Sequence, residues 1–368
     1  MNTQRLAEQF KKLVSIDSLS FHERDMADYL KEKMSSLGIE LTEDDSAERT
    51  GGDCGNLYGC FHGSKDAEPI LFLAHMDTVA PGIGKKAIEH ADGTITSDGS
   101  TVLGADDASA IAVIIEAIQE IQEEKLPHRD IEILFTTAEE AYTVGASAFD
   151  LSKLRAKKAF VLDVSGPVGG YQLTEPTLIS FTFTIKGKAS HAGFEPEAGV
   201  NAILAASRAI GRLPIGRPDD HSTFNIGVIN GGTATNIVPD KATVSGEIRS
   251  LVHEDALNLL SHAEEIFKNE AEALGAEAAV QHKTFLEAYR IEDDDPAFLM
   301  YKEVLEKHHI EPRDRKSFGG SDNNVLRRNG IEGLCIANAM NKIHSCEEYT
   351  NIKDLEKVKD IVRELMLK

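Results

Sequence analysis

The strongest constraint on how this chain can fold is a repeated pattern in which a short apolar run ends at, or just before, a histidine or an acid. Pro69-Ile70-Leu71-Phe72-Leu73-Ala74 leads into His75, and Ala159-Phe160-Val161-Leu162 leads into Asp163. Ile131-Glu132-Ile133-Leu134-Phe135 comes shortly before Glu139-Glu140. Runs of this length without alternation are predicted to be strands buried on both faces. An alanine- and isoleucine-rich segment over 108–121 predicts a helix between the first two. Strands alternating with helices at this spacing predict an α/β domain, with a mainly parallel sheet and helices on both faces. Functional side chains in such sheets collect beyond the carboxyl ends of the strands, so His75 and the acids are predicted to share one edge.

The flanking segments extend this reading. Residues 6–37 predict one or two helices closed by Gly38, with Ser20 and Glu23 as a capping box between them. Residues 42–53 are charged and predict a loop. The pattern changes in the middle of the chain. Residues 178–185 alternate as a strand with one wet face does, 199–213 and 255–274 are helical, and 223–229, 242–248 and 279–285 are strand-like. This order of strands and helices predicts an inserted α+β domain of ferredoxin-like type. The expected boundaries are 177–289 for the insertion, a lid or dimerisation domain, and 1–176 with 290–368 for the discontinuous larger domain. A chain of 368 residues fits two domains.

Charge excludes some classes of function. The formal net charge of −22, with no basic stripe, argues against nucleic-acid and anionic-membrane partners. No apolar run reaches transmembrane length, and the first residues lack the apolar core of a secretory signal. Cys54, Cys60, Cys335 and Cys346 have no metal-finger spacing and are expected to be free thiols in a cytoplasmic protein.

Taken singly, His75-Met76-Asp77, Asp106-Asp107, Glu139-Glu140, Asp163 and His344 have ordinary readings: surface polarity, a helix N-cap pair, a solvated acidic pair. Gathered at one sheet edge, the acids repel one another and need a cation. Histidine nitrogen with carboxylate oxygen suits zinc, and also cobalt or manganese. His75 and Asp77 are expected to point the same way, so that Asp77 orients the imidazole.

His75-Met76-Asp77, Gly104-Ala105-Asp106-Asp107, Ala138-Glu139-Glu140, Asp163 and Ile343-His344-Ser345 together resemble the co-catalytic zinc aminopeptidase, carboxypeptidase and acylase family. Leu103-Gly104-Ala105-Asp106-Asp107 and Ser190-His191-Ala192-Gly193 look most like its peptidase T (tripeptidase) branch. The resemblance implies two divalent metal ions, most simply Zn2+. One would be held by His75 and Asp163, the other by Glu140 and His344, with Asp106 bridging them across a cis Asp106–Asp107 peptide. It implies Glu139 as general base and His191 as a donor to the reacting carbonyl, with Asp77, the residue that orients His75, counted among the catalytic residues. The expected substrate is a small peptide or acyl-amino acid, and the inserted domain would form a homodimer.

Asn236, Arg249 and the Gly319-Gly320-Ser321-Asp322 turn are candidates for holding substrate, with Gly320 and Ser321 named from the turn. Arg249 is suited to clamping a carboxylate. Three stretches depart from the tripeptidase pattern: 217–223, Asn323-Asn324 after Asp322, and Ser345-Cys346-Glu347-Glu348 after His344. The leading expectation is an aminopeptidase acting on tripeptides. A carboxypeptidase, dipeptidase or aminoacylase, and more remotely an inactive metal-binding scaffold, are the alternatives.

Overall fold

The computed structural model describes residues 2–368. The chain divides into two compact units. The first comprises the chain up to Leu173 with Arg290–Ser317 and Ser321–Lys368; the second is Thr174–Tyr289 with Phe318–Gly320. Gly320 therefore groups with the second unit and Ser321 with the first, whereas the sequence reading put both in the larger domain.

The first unit is built on an eight-stranded sheet. At its centre Ile70–His75 pairs in parallel with Ile131–Thr136 on one side and Lys158–Val164 on the other, and Glu332–Ala337 extends the parallel run beyond Lys158–Val164. Leu57–Phe61 joins antiparallel outside Ile131–Thr136, and Gly170–Gln172 joins antiparallel outside Glu332–Ala337. The sheet is thus mixed at its margins and parallel where the apolar runs lie. Every residue of Ile70–His75 and of Ile131–Thr136 is buried. Side chains alternate across the sheet, so Leu71, Leu73, Leu134 and Val161 pack on one face with Phe149, Leu154 and Leu326. The helix Ala105–Glu124 lies against Ile70–His75 and is itself covered by Asn2–Val14 and Ile352–Leu367. Its buried acids Glu116 and Glu120 are met by Arg5 and Lys359 from those covering helices.

The N-terminal segment forms two helices, Asn2–Val14 and Arg24–Ser36. The expected capping box between them is absent. Glu23 occupies the N-cap position without a side-chain cap bond, and Ser20 and Glu23 direct their side chains to other partners. Residues 42–53 are not a plain loop, since they hold the short strand Thr42–Glu43 and the helix Ser46–Thr50.

The second unit is a five-stranded antiparallel sheet. Its spatial order is Gly216–Asp219, Ser222–Gly231, Lys241–Ser250, Thr177–Lys186, Glu277–Leu286. The helices Ala202–Ile210 and His253–Glu272 pack on one face, where Phe183 stacks on Phe267 at 4.0 Å. The other face of Thr177–Lys186 is wetter, as its alternation predicts. No helix among the described residues is long and apolar enough to cross a membrane.

The parallel core carries the first unit, so a void there should be costly. Phe72 is fully buried, with the Phe160 ring 5.6 Å away. Phe72→Ala is expected to destabilise this unit by about 3–5 kcal/mol, measured as a shift of its urea midpoint.

Candidate binuclear metal centre

Each strand of the parallel core delivers a ligand-type side chain to the same end of the sheet. His75 is the last residue of its strand and lies in register with Thr136, the last residue of the neighbouring strand. Glu139 and Glu140 follow Thr136 in a tight turn, Asp163 lies near the end of Lys158–Val164, and His344 follows Glu332–Ala337. Asp106 arrives from the start of Ala105–Glu124, where the Asp106–Asp107 peptide is cis and both residues are non-helical. The pair is not a side-chain cap, because Gly104 holds the N-cap position.

These side chains converge into two groups that share one member. Ligand atoms of His75, Asp106 and Asp163 lie within 4.8 Å of one another, and so do those of Asp106, Glu140 and His344. His75 Nε2 is 3.0 Å from Asp106 Oδ1, while His344 Nε2 is 3.3 Å from Asp106 Oδ2 and 2.9 Å from Glu140 Oε1. The two carboxylate oxygens of Asp106 therefore serve different groups.

The donor chemistry fits divalent cations. His75 Nδ1 donates to the carbonyl oxygen of Asp77 at 3.0 Å, which leaves Nε2 with the lone pair. That lone pair faces a carboxylate oxygen, a contact that repels unless a proton or a cation intervenes. Ligands about 2.0–2.1 Å from one tetrahedral ion lie about 3.3 Å apart, close to the separations seen here. The acids carry the same signature. Burial, then neighbouring acids, holds Asp163 and Glu139 well above the usual carboxylate range, with Asp106 raising Asp163 and Asp163 raising Glu139. Burial also raises Glu140. Asp106 moves the other way: burial would raise it, but His344 and, when its ring is doubly protonated, His75 outweigh that and lower it. His344 is pushed up to about 10 by Asp106 and Glu140. The site is short of positive charge.

Asp77 meets the His75 ring as expected and has a second part as well. The strand ends at His75, and it is the main-chain carbonyl of Asp77 that takes the closer His75 contact, its carboxylate lying at 3.3 Å. The carboxylate also accepts the N–H groups of Glu139 at 3.0 Å and Glu140 at 3.2 Å, together with the Ser20 hydroxyl at 2.7 Å. Sequence reasoning missed several other supports. Glu348 accepts the N–H groups of Gly104 at 2.7 Å and Asp106 at 3.0 Å, fixing the loop that presents Asp106. Asp107 accepts the His75 N–H at 3.1 Å and a bond from Asn338. Asn56 spans the turn after Thr136, accepting from Thr137 N–H and donating to Gly145 carbonyl. Gly145 is required there, because a Cβ would come within 2.0 Å of the Thr137 carbonyl. Burial of isolated polar residues was the only signal for these, and it is invisible before the fold is known.

The remaining candidates sit in local bonds. Ser321 caps Asp322–Arg328 in a capping box with Asn324, and Asp322 accepts the Thr136 hydroxyl at 2.6 Å. Arg249 donates to Glu247 and to the Phe318 carbonyl, each at 2.9 Å. His191 is exposed, its Nδ1 accepts the Gly193 N–H at 3.1 Å, and Asn236 is tied to the same segment through the Ala192 N–H. Two further groups of ligand-type atoms do not match the centre. Cys60, His62 and Asp130 already have the Arg155 guanidinium, which donates to Asp130 at 2.8 Å. In the Glu23, Asp53 and Cys54 group, burial pushes the Cys54 thiol up and keeps it neutral.

One carboxylate shared between two ion sites is the arrangement of co-catalytic metallohydrolases, and the fold and site assign the chain to that class. Comparison with known proteins narrows it. Residues 173–274 match the model of the peptidase dimerisation domain, and residues 56–193 that of peptidase family M28. The chain is 37% identical to an aminopeptidase PepT from Bacillus cereus, with a TM-score of 0.92 over 99% of this chain and 98% of that one. It is 33% identical to a tripeptidase from Staphylococcus aureus, with a TM-score of 0.94 over 99% and 97%. An uncharacterized Bacillus subtilis protein, YqjE, is 38% identical over 98% of this chain and 97% of its own. A dinuclear metal-binding peptidase of the M20 family from Bacillus subtilis shares the fold at a TM-score of 0.77. The chain belongs to the M20 family of binuclear metallopeptidases, and within it stands beside the peptidase T proteins.

The shared carboxylate has a direct consequence for metal content. Asp106→Asn should lower bound zinc from about two equivalents toward none, whereas Glu140→Ala should leave about one, as counted by mass spectrometry of desalted protein. Stripping the wild type with a chelator should lower its melting temperature by at least about 5 °C, and zinc should restore it.

Proposed function

We propose that this metal-dependent peptide hydrolase is an aminopeptidase that acts on tripeptides. The observation that carries the reading is the Asp106 carboxylate shared between the two ligand groups, with Glu139 buried beside them. His75 and Asp163 would hold one ion, Glu140 and His344 the other, and Asp106 would bridge; zinc suits this donor set best. Bound there, the ions supply a water of lowered pKa and positive charge for the developing oxyanion.

The chain's own residues do the rest. Glu139 takes the proton of the attacking water and returns it to the leaving amine. Its burial supports that part, since burial raises its proton affinity whether or not the neighbouring acids are neutralised by cations. Asp77 holds the backbone of Glu139 and Glu140 in place. His191 accepts at Nδ1, so its neutral tautomer carries the proton on Nε2, which suits a donor to the carbonyl oxygen. Asn236, Arg249, Gly320 and Ser321 are proposed to position the peptide. The strand order of the inserted unit supports a ferredoxin-like description, and the match to the dimerisation domain supports a homodimer formed through it. The tripeptide assignment is supported by the likeness to the Staphylococcus aureus tripeptidase and the Bacillus cereus PepT.

Glu139→Gln should lower kcat on a tripeptide by about 10²- to 10⁴-fold while both metal equivalents remain. Wild type should cleave a free tripeptide and spare its N-acetylated form. Faster cleavage of the acetylated peptide would replace the aminopeptidase reading with an acylase or carboxypeptidase one.

A further inference from the structure

The connector between the first two helices carries contacts that neither of those helices needs. Ser18 carbonyl accepts the Thr78 N–H at 2.9 Å, and Leu19 bridges to Thr78. The Ser20 hydroxyl donates to Asp77 Oδ2 at 2.7 Å. Glu23 is fully buried, and its Oε1 accepts both the Phe21 N–H at 3.0 Å and the Ala138 N–H at 2.9 Å. Its other oxygen, Oε2, is buried without a hydrogen-bond partner. The N–H groups of Ala138, Glu139 and Glu140 thus all end on carboxylates, the first on Glu23 and the other two on Asp77.

We infer that the Ser18–Glu23 connector is a positioning clamp for the turn that presents Glu139, with Glu23 Oε1 as its principal grip. Ala138 has φ +48°, a left-handed conformation that a residue with a Cβ leaves when nothing enforces it. Ala138 is buried, so without Glu23 its N–H would lose its acceptor away from solvent. The least costly relaxation turns that peptide, and Glu139 is the next residue. A general base displaced by an ångström loses much of its effectiveness even when both metals stay bound. Glu23 is a positioning residue, because it acts through Ala138 and touches no ligand atom. The clamp needs an oxygen at the Oε1 position and does not need the negative charge. This inference rests on the proposed role of Glu139.

The test compares Glu23→Ala, Glu23→Gln and Ser20→Ala with wild type in three measurements. These are steady-state kinetics on a tripeptide, zinc content, and hydrogen–deuterium exchange of peptides covering residues 137–145. Glu23→Ala should lower kcat by about 10- to 100-fold, with KM within about 3-fold and zinc unchanged, and exchange over 137–145 should quicken. Glu23→Gln keeps the accepting oxygen and should stay within about 3-fold of wild type in kcat, with wild-type exchange. Ser20→Ala should show a smaller loss in the same direction, and it tests the clamp even if Glu23→Ala does not fold. Wild-type kcat and exchange in both Glu23→Ala and Ser20→Ala would overturn the inference. So would a loss in Glu23→Gln as deep as that in Glu23→Ala. If wild type cleaved no peptide, the proposed function would fail, and exchange over 137–145 would still decide the clamp.

Discussion

The structure turns on repulsion among buried acids that the fold forces together. Asp106, Asp107, Glu139, Glu140 and Asp163 meet at one edge of a parallel sheet, with His75 and His344 as the neighbouring bases. Carboxylates so placed cannot all ionise without compensation. Asp106 shows how the compensation is divided, one oxygen facing His75 and the other facing His344. Divalent cations between these atoms turn an unfavourable cluster into a favourable one. Metal binding and the integrity of this edge of the sheet are therefore one energetic problem.

Around that centre lies a layer of side chains that hold backbone instead of metal. Glu348 grips the loop before Asp106, Asp77 grips the turn at Glu139 and Glu140, and Asp107 grips His75. Glu348 and Asp77 accept main-chain N–H groups from irregular segments, and Asp107 accepts the one at the last residue of a strand. The same device satisfies otherwise orphaned donors and fixes the direction of the next side chain. Such supports let irregular turns reach the precision that general-base chemistry demands.

How much of this was legible in the sequence depended on whether the signal was local. The strand before His75 and the strand before Asp163 announced themselves as unbroken apolar runs, because burial on both faces leaves no room for alternation. The convergence of His75, Asp106, Glu140 and Asp163 followed once those strands were read as parallel, whereas His344 joined the set only through the family resemblance. The part of Ser20 and Glu23 was hidden. Their spacing suits a capping box, but their true partners, Asp77 and Ala138, lie far away in the chain. Asp77 itself was singled out, and its carboxylate does lie 3.3 Å from His75 Nδ1, but its grip on the backbone of Glu139 and Glu140 was hidden because that turn lies far along the chain. Glu348 and Asn338 gave no signal of their part, since a polar residue flanking a strand is usually solvated and only the fold reveals these as buried.

The central claim is that Asp106 lies between two cations. Crystals grown with zinc and measured at wavelengths on either side of the zinc absorption edge test it most directly. The account predicts two anomalous peaks per chain, one against His75 and Asp163 and one against Glu140 and His344, with an Asp106 oxygen on each. A single peak, or two peaks of which one makes no contact with Asp106, would contradict it.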